Sequence, residues 1–437
     1  MKYEPFILNA CSMDEIRNKD YIRFLEDSVL RAGVDLFFKR HMQNPDFPYP
    51  DTKFNPNTGR DLAPESYGRI YTWFLGRGSE AFSSHIRLME KGGITSQTGK
   101  KAMLFFREAL NNQIKAVREI TAKNKNCCPF IVDREFSAID TAGIPSPVIP
   151  EYRSAGDLFC SKGLLCSDNT EDKKAGLSML KEYTDAVFNL RYRSYHVKEP
   201  EDRISQGQFM LILGAFPLAL SAVTSEKDTE KLADECLNIM DFVIERYYDE
   251  KKKLLCEYID SVTHEKIPVT DPGHAIEFAG LGYKSINAFS EVSSLKGSEV
   301  IINLRKKHEF LENIIKSSFK TGFTKKHGGI YKLSDTKTGS PLNTEMPWWN
   351  LPETMRAAAL AASFPGSEDK ETLFRIFSEA SNAYFRHYIN TDNGLFPYQT
   401  RCGKTGRVLD TTPAIPEGDP LYHANLSIID LLQSIQA

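Results

Sequence analysis

Apolar residues recur at every third or fourth position through most of the chain, and the polar intervals between these stretches are short. Spacing near 3.6 predicts amphipathic helices over 14–41, 64–91, 99–124, 173–193, 205–223, 226–249, 272–288, 297–319, 351–364, 368–389 and 419–435. Few segments alternate for long enough to make an extended strand. Three connecting segments, "KKKLLCEYIDSVTHEKIP", "HGGIYKLSDTKTGSP" and "NGLFPYQTRCGKTGRV", place short apolar stretches around polar turns and predict β-hairpins. A Thr-Gly turn signature recurs at Asn57-Thr58-Gly59-Arg60, Gln97-Thr98-Gly99-Lys100, Lys337-Thr338-Gly339-Ser340 and Lys404-Thr405-Gly406-Arg407. Thr-Gly is also a common turn dipeptide. The last two copies, however, lie one helix pair and one hairpin apart, as in a toroid of helical hairpins with loops gathered on one side.

No shift in composition or low-complexity linker divides the chain. The expectation is a single all-α domain over 1–437: an (α/α)6 barrel closing about twelve helices, with short β-hairpins in loops on one side.

Composition narrows the function. Hydrophobic residues make up 41% of 437 and charged residues 26%, enough to bury a sizeable core. Lys plus Arg number 55 against 58 Asp plus Glu, a net charge of −3, which leaves no electrostatic footprint for nucleic acid or an anionic membrane. No run approaches the length of a membrane span. The opening "MKYEPFILNACSMDE" puts Cys11 after an apolar run too short for an export signal, and acidic residues follow at once. Eight cysteines are scattered without a C-x-x-C pair and predict free thiols. These features describe a cytoplasmic protein.

Four patches could carry chemistry. In "ESYGRIYTWFLGRG", Arg69 and Trp73 stand four apart and would share a helix face, a fork of donors beside a flat indole. A core tryptophan with a snorkelling arginine is the plainer account. In "TDPGHAIEFAGL", Asp271 can cap a helix starting at Pro272, which puts His274 in the first turn. The helix dipole there disfavours imidazolium, and Glu277, one turn on, could orient the ring or a substrate. In "EMPWWNLPETMRAAALAA", Asn350 and Glu353 have capping-box spacing, which leaves the pair Trp348-Trp349 unaccounted for. In "GDPLYHANLSIIDLL", His423 lies near the start of the last helix, in a setting like that of His274. The remaining histidines, His41, His85, His196, His264, His308, His327 and His387, sit in charged or loop-like surroundings and are expected at the surface. No P-loop, dinucleotide glycine motif, G-x-S-x-G elbow or H-E-x-x-H is present.

Taken in order, these patches resemble the N-acylglucosamine 2-epimerase family, whose fold is an (α/α)6 barrel; the similarity runs from about Phe37 to the C-terminus. "GRIYTWF" is similar to the family's arginine segment, "PGHAIE" to its P-G-H-x-x-E motif, "WWNLPE" to W-W-x-x-x-E, and "LFPYQTRCGKTG…PLYHAN" to the segment carrying a second histidine. The resemblance implies catalytic roles for His274, His423, Glu277 and Arg69, and sugar contacts for Trp349, Glu353 and Trp73. It implies a small sugar substrate, no metal or organic cofactor, a homodimer, and in some relatives a nucleotide effector such as ATP. Relatives acting on disaccharides or mannose carry an extra histidine on a middle helix, where "SQGQFMLILGAF" has Leu211; this favours the acylhexosamine branch.

The implied reaction interconverts N-acyl-D-glucosamine and N-acyl-D-mannosamine by deprotonation and reprotonation at C2. Histidine suits both steps because its ordinary pKa lies near working pH. An aldose–ketose isomerase is the nearest alternative. A glycoside hydrolase built on paired carboxylates among Glu277, Glu345 and Glu353 comes next, then a sugar-binding protein without turnover.

Overall fold

In the computed structural model, which describes residues 3–91, 97–193, 202–411 and 421–436, helices alternate between an inner and an outer ring. The outer ring comprises α1 (Arg31–Gln43), α3 (Gln97–Lys123), α5 (Thr170–Phe188), α7 (Glu226–Tyr247), α9 (His308–Gly322) and α11 (Lys370–His387). The inner ring comprises α2 (Thr72–Glu90), α4 (Ala155–Leu165), α6 (Gly207–Leu213), α8 (Pro272–Ser290), α10 (Asn350–Ser363) and α12 (Ser427–Gln436). Along the inner ring α2 packs on α4, α6 on α8, α8 on α10, and α10 on α12, which returns to α2. This is the expected (α/α)6 barrel. No helix among the described residues is long and apolar enough to cross a membrane, and all eight cysteines are free thiols.

The two rings differ in how their sequences advertise them. Outer α7 buries Thr229, Leu232, Ala233, Cys236, Ile239, Met240, Val243 and Tyr247, a stripe at three- and four-residue spacing, with Ser225 capping its start. Inner α4 is buried from Gly156 to Leu165 on every side and so has no polar face. Periodicity predicts no helix over 155–165; the missing element is this one, identified instead by its Ser154–Asp157 capping box. His85, expected at the surface, is buried on α2, where burial pushes its pKa down to about 4.

Short strands stitch the barrel at the N-terminal ends of the inner helices. Ile70–Tyr71, before α2, pairs with Ile131–Val132; Arg203–Ser205, before α6, with Tyr258–Asp260; Val269–Thr270, before α8, with Leu333–Asp335; and Glu345–Pro347, before α10, with Thr400–Cys402. Each strand thus pairs with one from the next connection, and the loops gather at one end. Pairing also explains why the helix expected over 64–91 begins only at Thr72. Ile70 and Tyr71 are committed to a strand, and the Thr72 amide and hydroxyl donate to Phe130 and Pro129 carbonyls. Likewise, 297–319 breaks at Lys307 and 205–223 at Gly214.

Three of the four Thr-Gly signatures make the same turn. Asn55 Oδ1 and Asp335 Oδ1 each accept amides two and three residues on, and Gly59, Gly339 and Gly406 all take φ of 67–72°. Asp260 builds the same turn with His264 (φ 58°) in the glycine position. Gln97–Lys100 instead forms the first turn of α3. The Gly59 turn closes the circle: Asn57 donates to the Leu409 carbonyl and accepts from the Gln399 amide. The expected contributions of His196 and of 412–420 lie outside the described residues.

The approach of α2 to α4 depends on Gly76, where an added Cβ would fall 1.8 Å from the Phe159 carbonyl oxygen. Gly76→Ala is expected to cost about 3 kcal/mol through forced overpacking. Gly68→Ala, with open space around it, should leave the urea midpoint unchanged. Paired urea titrations check both.

Candidate active site

The first turns of α8, α10 and the segment leading into α12 face one another inside the ring of hairpins. Asp271 caps α8, its Oδ1 accepting from the Gly273 and His274 amides at 3.1 and 3.2 Å, and Pro272 occupies the first helical position as predicted. His274 Nδ1 donates to Glu257 Oε1 at 3.2 Å. Glu257 is buried on the strand side and held by Ser205 Oγ (2.6 Å) and Gln206 Nε2 (3.0 Å). Lys332 Nζ donates to Asp271 Oδ2 at 2.5 Å and lies 3.3 Å from His274 Nε2. An ammonium only donates, so Nε2 accepts and the imidazole in this arrangement is neutral with its proton on Nδ1.

The local field differs from the one the helix start alone suggests. Burial lowers the His274 pKa, but Asp271 and Glu257 outweigh both burial and Lys332, and the net shift is upward. The downward pull on its pKa expected from the helix dipole is outweighed by two carboxylates at contact distance. Burial likewise opposes the charge on Lys332, yet Asp271 prevails and raises its pKa, so the ammonium stays charged.

A second group faces this one. His423 lies in a π-helical turn, Tyr422–Leu426, entered through Leu421 at φ 65°. Such turns are frequent at functional sites, and here the turn replaces the plain helix start expected over 419–435. His423 Nδ1 donates to Glu353 Oε1 at 2.9 Å, and Ser427 Oγ donates to the same oxygen at 2.8 Å. The other Glu353 oxygen takes Arg356, one turn on. Glu353 therefore caps nothing: Trp349 holds the N-cap position of α10 without a side-chain bond, and Asn350 Nδ2 reaches the Ile330 carbonyl at 3.4 Å. Burial would raise the Glu353 pKa, but Arg356, His423 and Ser427 hold it at about 2.

Glu277 sits between the groups. It is 3% exposed, and among the described residues no donor hydrogen-bonds to its carboxylate. Burial, then the neighbouring Glu353, raises its pKa, against the pull of His423, Arg356 and His274. It does not hold the His274 ring; Glu257 does. Trp349 is partly exposed and stacks on His423 (centroids 5.9 Å, planes 25° apart), with Lys332 Nζ 5.8 Å from its ring. Trp348 is core, its indole N–H donating to Gln399.

The first patch assembles differently from its sequence reading. Arg69 precedes α2, so it shares no helix face with Trp73; its Nη1 donates to the Thr141 carbonyl at 2.7 Å and touches neither histidine group. Trp73 stacks among Phe74 and Phe130, and the guanidinium over it, at 4.4 Å, is Arg77. Arg77 also faces Phe159 and Tyr422, and below it Lys162 joins Glu80 to the Tyr422 hydroxyl. Leu211 packs against this cluster. Of the residues missed from sequence, Arg356 and Arg77 stand at i+3 and i+4 from residues singled out there and were findable by helical spacing. Glu257 and Lys332 come from separate hairpins and carried no local signal.

Two triplets, Glu257–Asp271–His274 and Glu277–Glu353–His423, bring ligand-type atoms within 4.8 Å of one another. Lys332 and Arg356 each serve as counter-ion to one carboxylate of these triplets.

The family model for N-acylglucosamine 2-epimerase (GlcNAc 2-epimerase) matches residues 195–426, more than half of the chain and a span holding both histidine groups. The chain belongs to the N-acylglucosamine 2-epimerase family. It is a carbohydrate isomerase acting on a small sugar. Solved structures share the fold at low identity. A cellobiose 2-epimerase from Bacillus thermoamylovorans B4167 superposes with a TM-score of 0.63 at 14% identity, covering 84% of this chain and 88% of that one. A sugar epimerase from a ruminal bacterium gives 0.63 at 12%, covering 95% and 98%. A D-mannose isomerase gives 0.63 at 13%, covering 95% and 99%. No curated protein sequence matches the chain.

In this epimerase-family barrel, Glu353 is the buried anion on which His423 and Arg356 both depend. A carboxylate with a depressed pKa stabilises the fold above its unfolded value, here the ordinary 4.5, and that contribution fades as pH falls toward about 2. Glu353→Gln is expected to cost about 3 kcal/mol at neutral pH by leaving Arg356 under-compensated. It should also flatten the acid-unfolding profile between pH 4.5 and 2, as followed by circular dichroism.

Proposed function

We propose that the chain, acting as one catalytic domain, interconverts N-acyl-D-glucosamine and N-acyl-D-mannosamine, with His274 and His423 as the acid/base pair at C2. One observation carries this reading. Two histidines on helix starts flanking α10 each have Nδ1 held by a buried carboxylate, Glu257 or Glu353, which leaves Nε2 as the proton-accepting nitrogen of each ring. Fixing Nδ1–H sets the tautomer and leaves a lone pair for proton abstraction.

The open-chain aldehyde acidifies the C2 proton. As the C2–H bond breaks, its electron pair forms the C1–C2 double bond, the carbonyl pair moves to O1, and the proton passes to one Nε2. The other histidine returns a proton to the opposite face. Trp349, flat and partly exposed beside His423, offers the apolar surface on which a sugar ring packs. Glu277, raised in pKa and without a hydrogen-bond donor, suits a substrate hydroxyl. Leu211, partly buried against the cluster of Trp73 and Tyr422, is an apolar side chain that would suit an acyl methyl and supports the acylhexosamine reading. Protons alone pass between enzyme and sugar in this scheme, so it calls on no redox or metal group.

Proton NMR in deuterated water with N-acetylmannosamine, and separately N-acetylglucosamine, tests it. The expected result is interconversion with loss of the C2 proton signal, reduced at least about 1000-fold in His274→Asn and in His423→Asn. A ketose product would move the assignment to an isomerase. Normal turnover in either variant would overturn the two-base scheme.

A further inference from the structure

We propose that Lys332 is a further catalytic residue: its ammonium occupies the proton-accepting nitrogen of His274 until the sugar enters, then transfers to the sugar and carries the negative charge developing on O1. This rests on the two-histidine reading and assigns the oxyanion role, expected of Arg69, to a different cation.

Position makes the argument. The strand Leu333–Asp335 pairs with Val269–Thr270, Thr270 opposite Ser334, and the Lys332 amide donates to the Glu345 carbonyl. This backbone holds Lys332 over the first turn of α8, with Nζ 3.3 Å from His274 Nε2. A base removing the C2 proton must bring Nε2 to within about 3–3.5 Å of C2. O1 is only two bonds from that carbon, so a pose that brings C2 to Nε2 can also bring O1 within reach of Nζ. The same ammonium lies 5.8 Å from the ring of Trp349, the surface proposed for the sugar.

Chemistry agrees with position. Lys332 has three N–H donors; among the described residues two have partners, Asp271 and His274 Nε2. Asp271 anchors the ammonium while one donor is exchanged from imidazole to sugar. The exchange frees the Nε2 lone pair at the moment it is needed, coupling substrate entry to activation of the base. Arg69 is occupied by the Thr141 carbonyl, and Arg356 is 2% exposed behind Glu353. Lys332 keeps 18% of its side chain exposed while anchored to Asp271. No group leaves or enters in this step: the O1 charge gained as the C2 proton goes to Nε2 is lost again when C2 is reprotonated.

The test compares wild type, Lys332→Met, Lys332→Arg and His274→Asn in the deuterium-exchange assay, with pH profiles of kcat and kcat/KM. The groups facing His274 are Asp271, Glu257 and Lys332, with Glu277 one turn along α8; only Lys332 changes. Lys332→Met should lower kcat about 100-fold, more than it changes KM, and move the acid limb to higher pH because a cation beside His274 is gone. Lys332→Arg should recover part of the rate. Wild-type kcat with an unmoved acid limb in Lys332→Met would overturn the proposal, and Lys332→Gln carries the same comparison if the Met variant does not fold. Exchange in wild type that His274→Asn abolishes but Lys332→Met leaves intact refutes Lys332 alone. Absence of exchange from wild type with any aldose refutes the function itself.

Discussion

A chain of buried charge runs through three neighbouring inner helices, and the arrangement of the site depends on it. Lys284 of α8 donates to Asp430 of α12 at 2.7 Å, Asp430 accepts from Arg356 of α10 at 3.3 Å, and Arg356 holds Glu353. Glu353 in turn fixes His423 and Ser427. Charges this deep carry a large desolvation cost, which only mutual compensation and hydrogen bonding offset. Each ion therefore constrains the next. The helices cannot slide without exposing an unpaired charge, and His423 inherits that rigidity.

The hairpin ring supplies the complementary constraint on the other histidine. Glu257 and Lys332 come from connections far apart in sequence, yet strand pairings Ser205–Tyr258 and Thr270–Ser334 place both against the start of α8. The start of α8 thus carries His274, and the stitched loops supply its partners Glu257 and Lys332. This division follows from the barrel itself. Fully buried inner helices have few positions for charged side chains except at their ends, and one end is where the hairpins gather.

What could be read from the chain follows the same division. Outer helices with one wet face were plain in the 3.6-residue pattern, and so were the hairpin turns, because φ near 70° calls for glycine at a defined place. His274, Glu277, Trp349, Glu353 and His423 were legible because each sits in or beside a helix-start motif. The inner helix 155–165 was not, since burial on all sides erases periodicity. Nor could the sequence say that Arg69 would be spent on Thr141, that Glu353 would serve His423 instead of a cap, or that Glu257 would replace Glu277 at His274. Those are tertiary pairings between residues far apart in the chain, and local spacing carries no record of them.

The two histidines share one device but sit in different fields. His423 leans on a carboxylate that Arg356 has largely neutralised, and its own ring is packed between Trp348, Trp349 and Tyr422. His274 faces two carboxylates, Asp271 and Glu257, offset by the single ammonium of Lys332. A base must accept a proton and then release it, so its carboxylate partner can neither be absent nor act unopposed. Without the partner the imidazolium would be too acidic to form in a buried site; with two uncompensated carboxylates it would hold its proton at working pH. Arg356 and Lys332 set that balance differently: one is locked behind its carboxylate at 2% exposure, and the other keeps 18% of its side chain exposed. Only the second has room to change its partner, so under the two-histidine proposal the His274 half of the site is the one that a bound sugar would adjust.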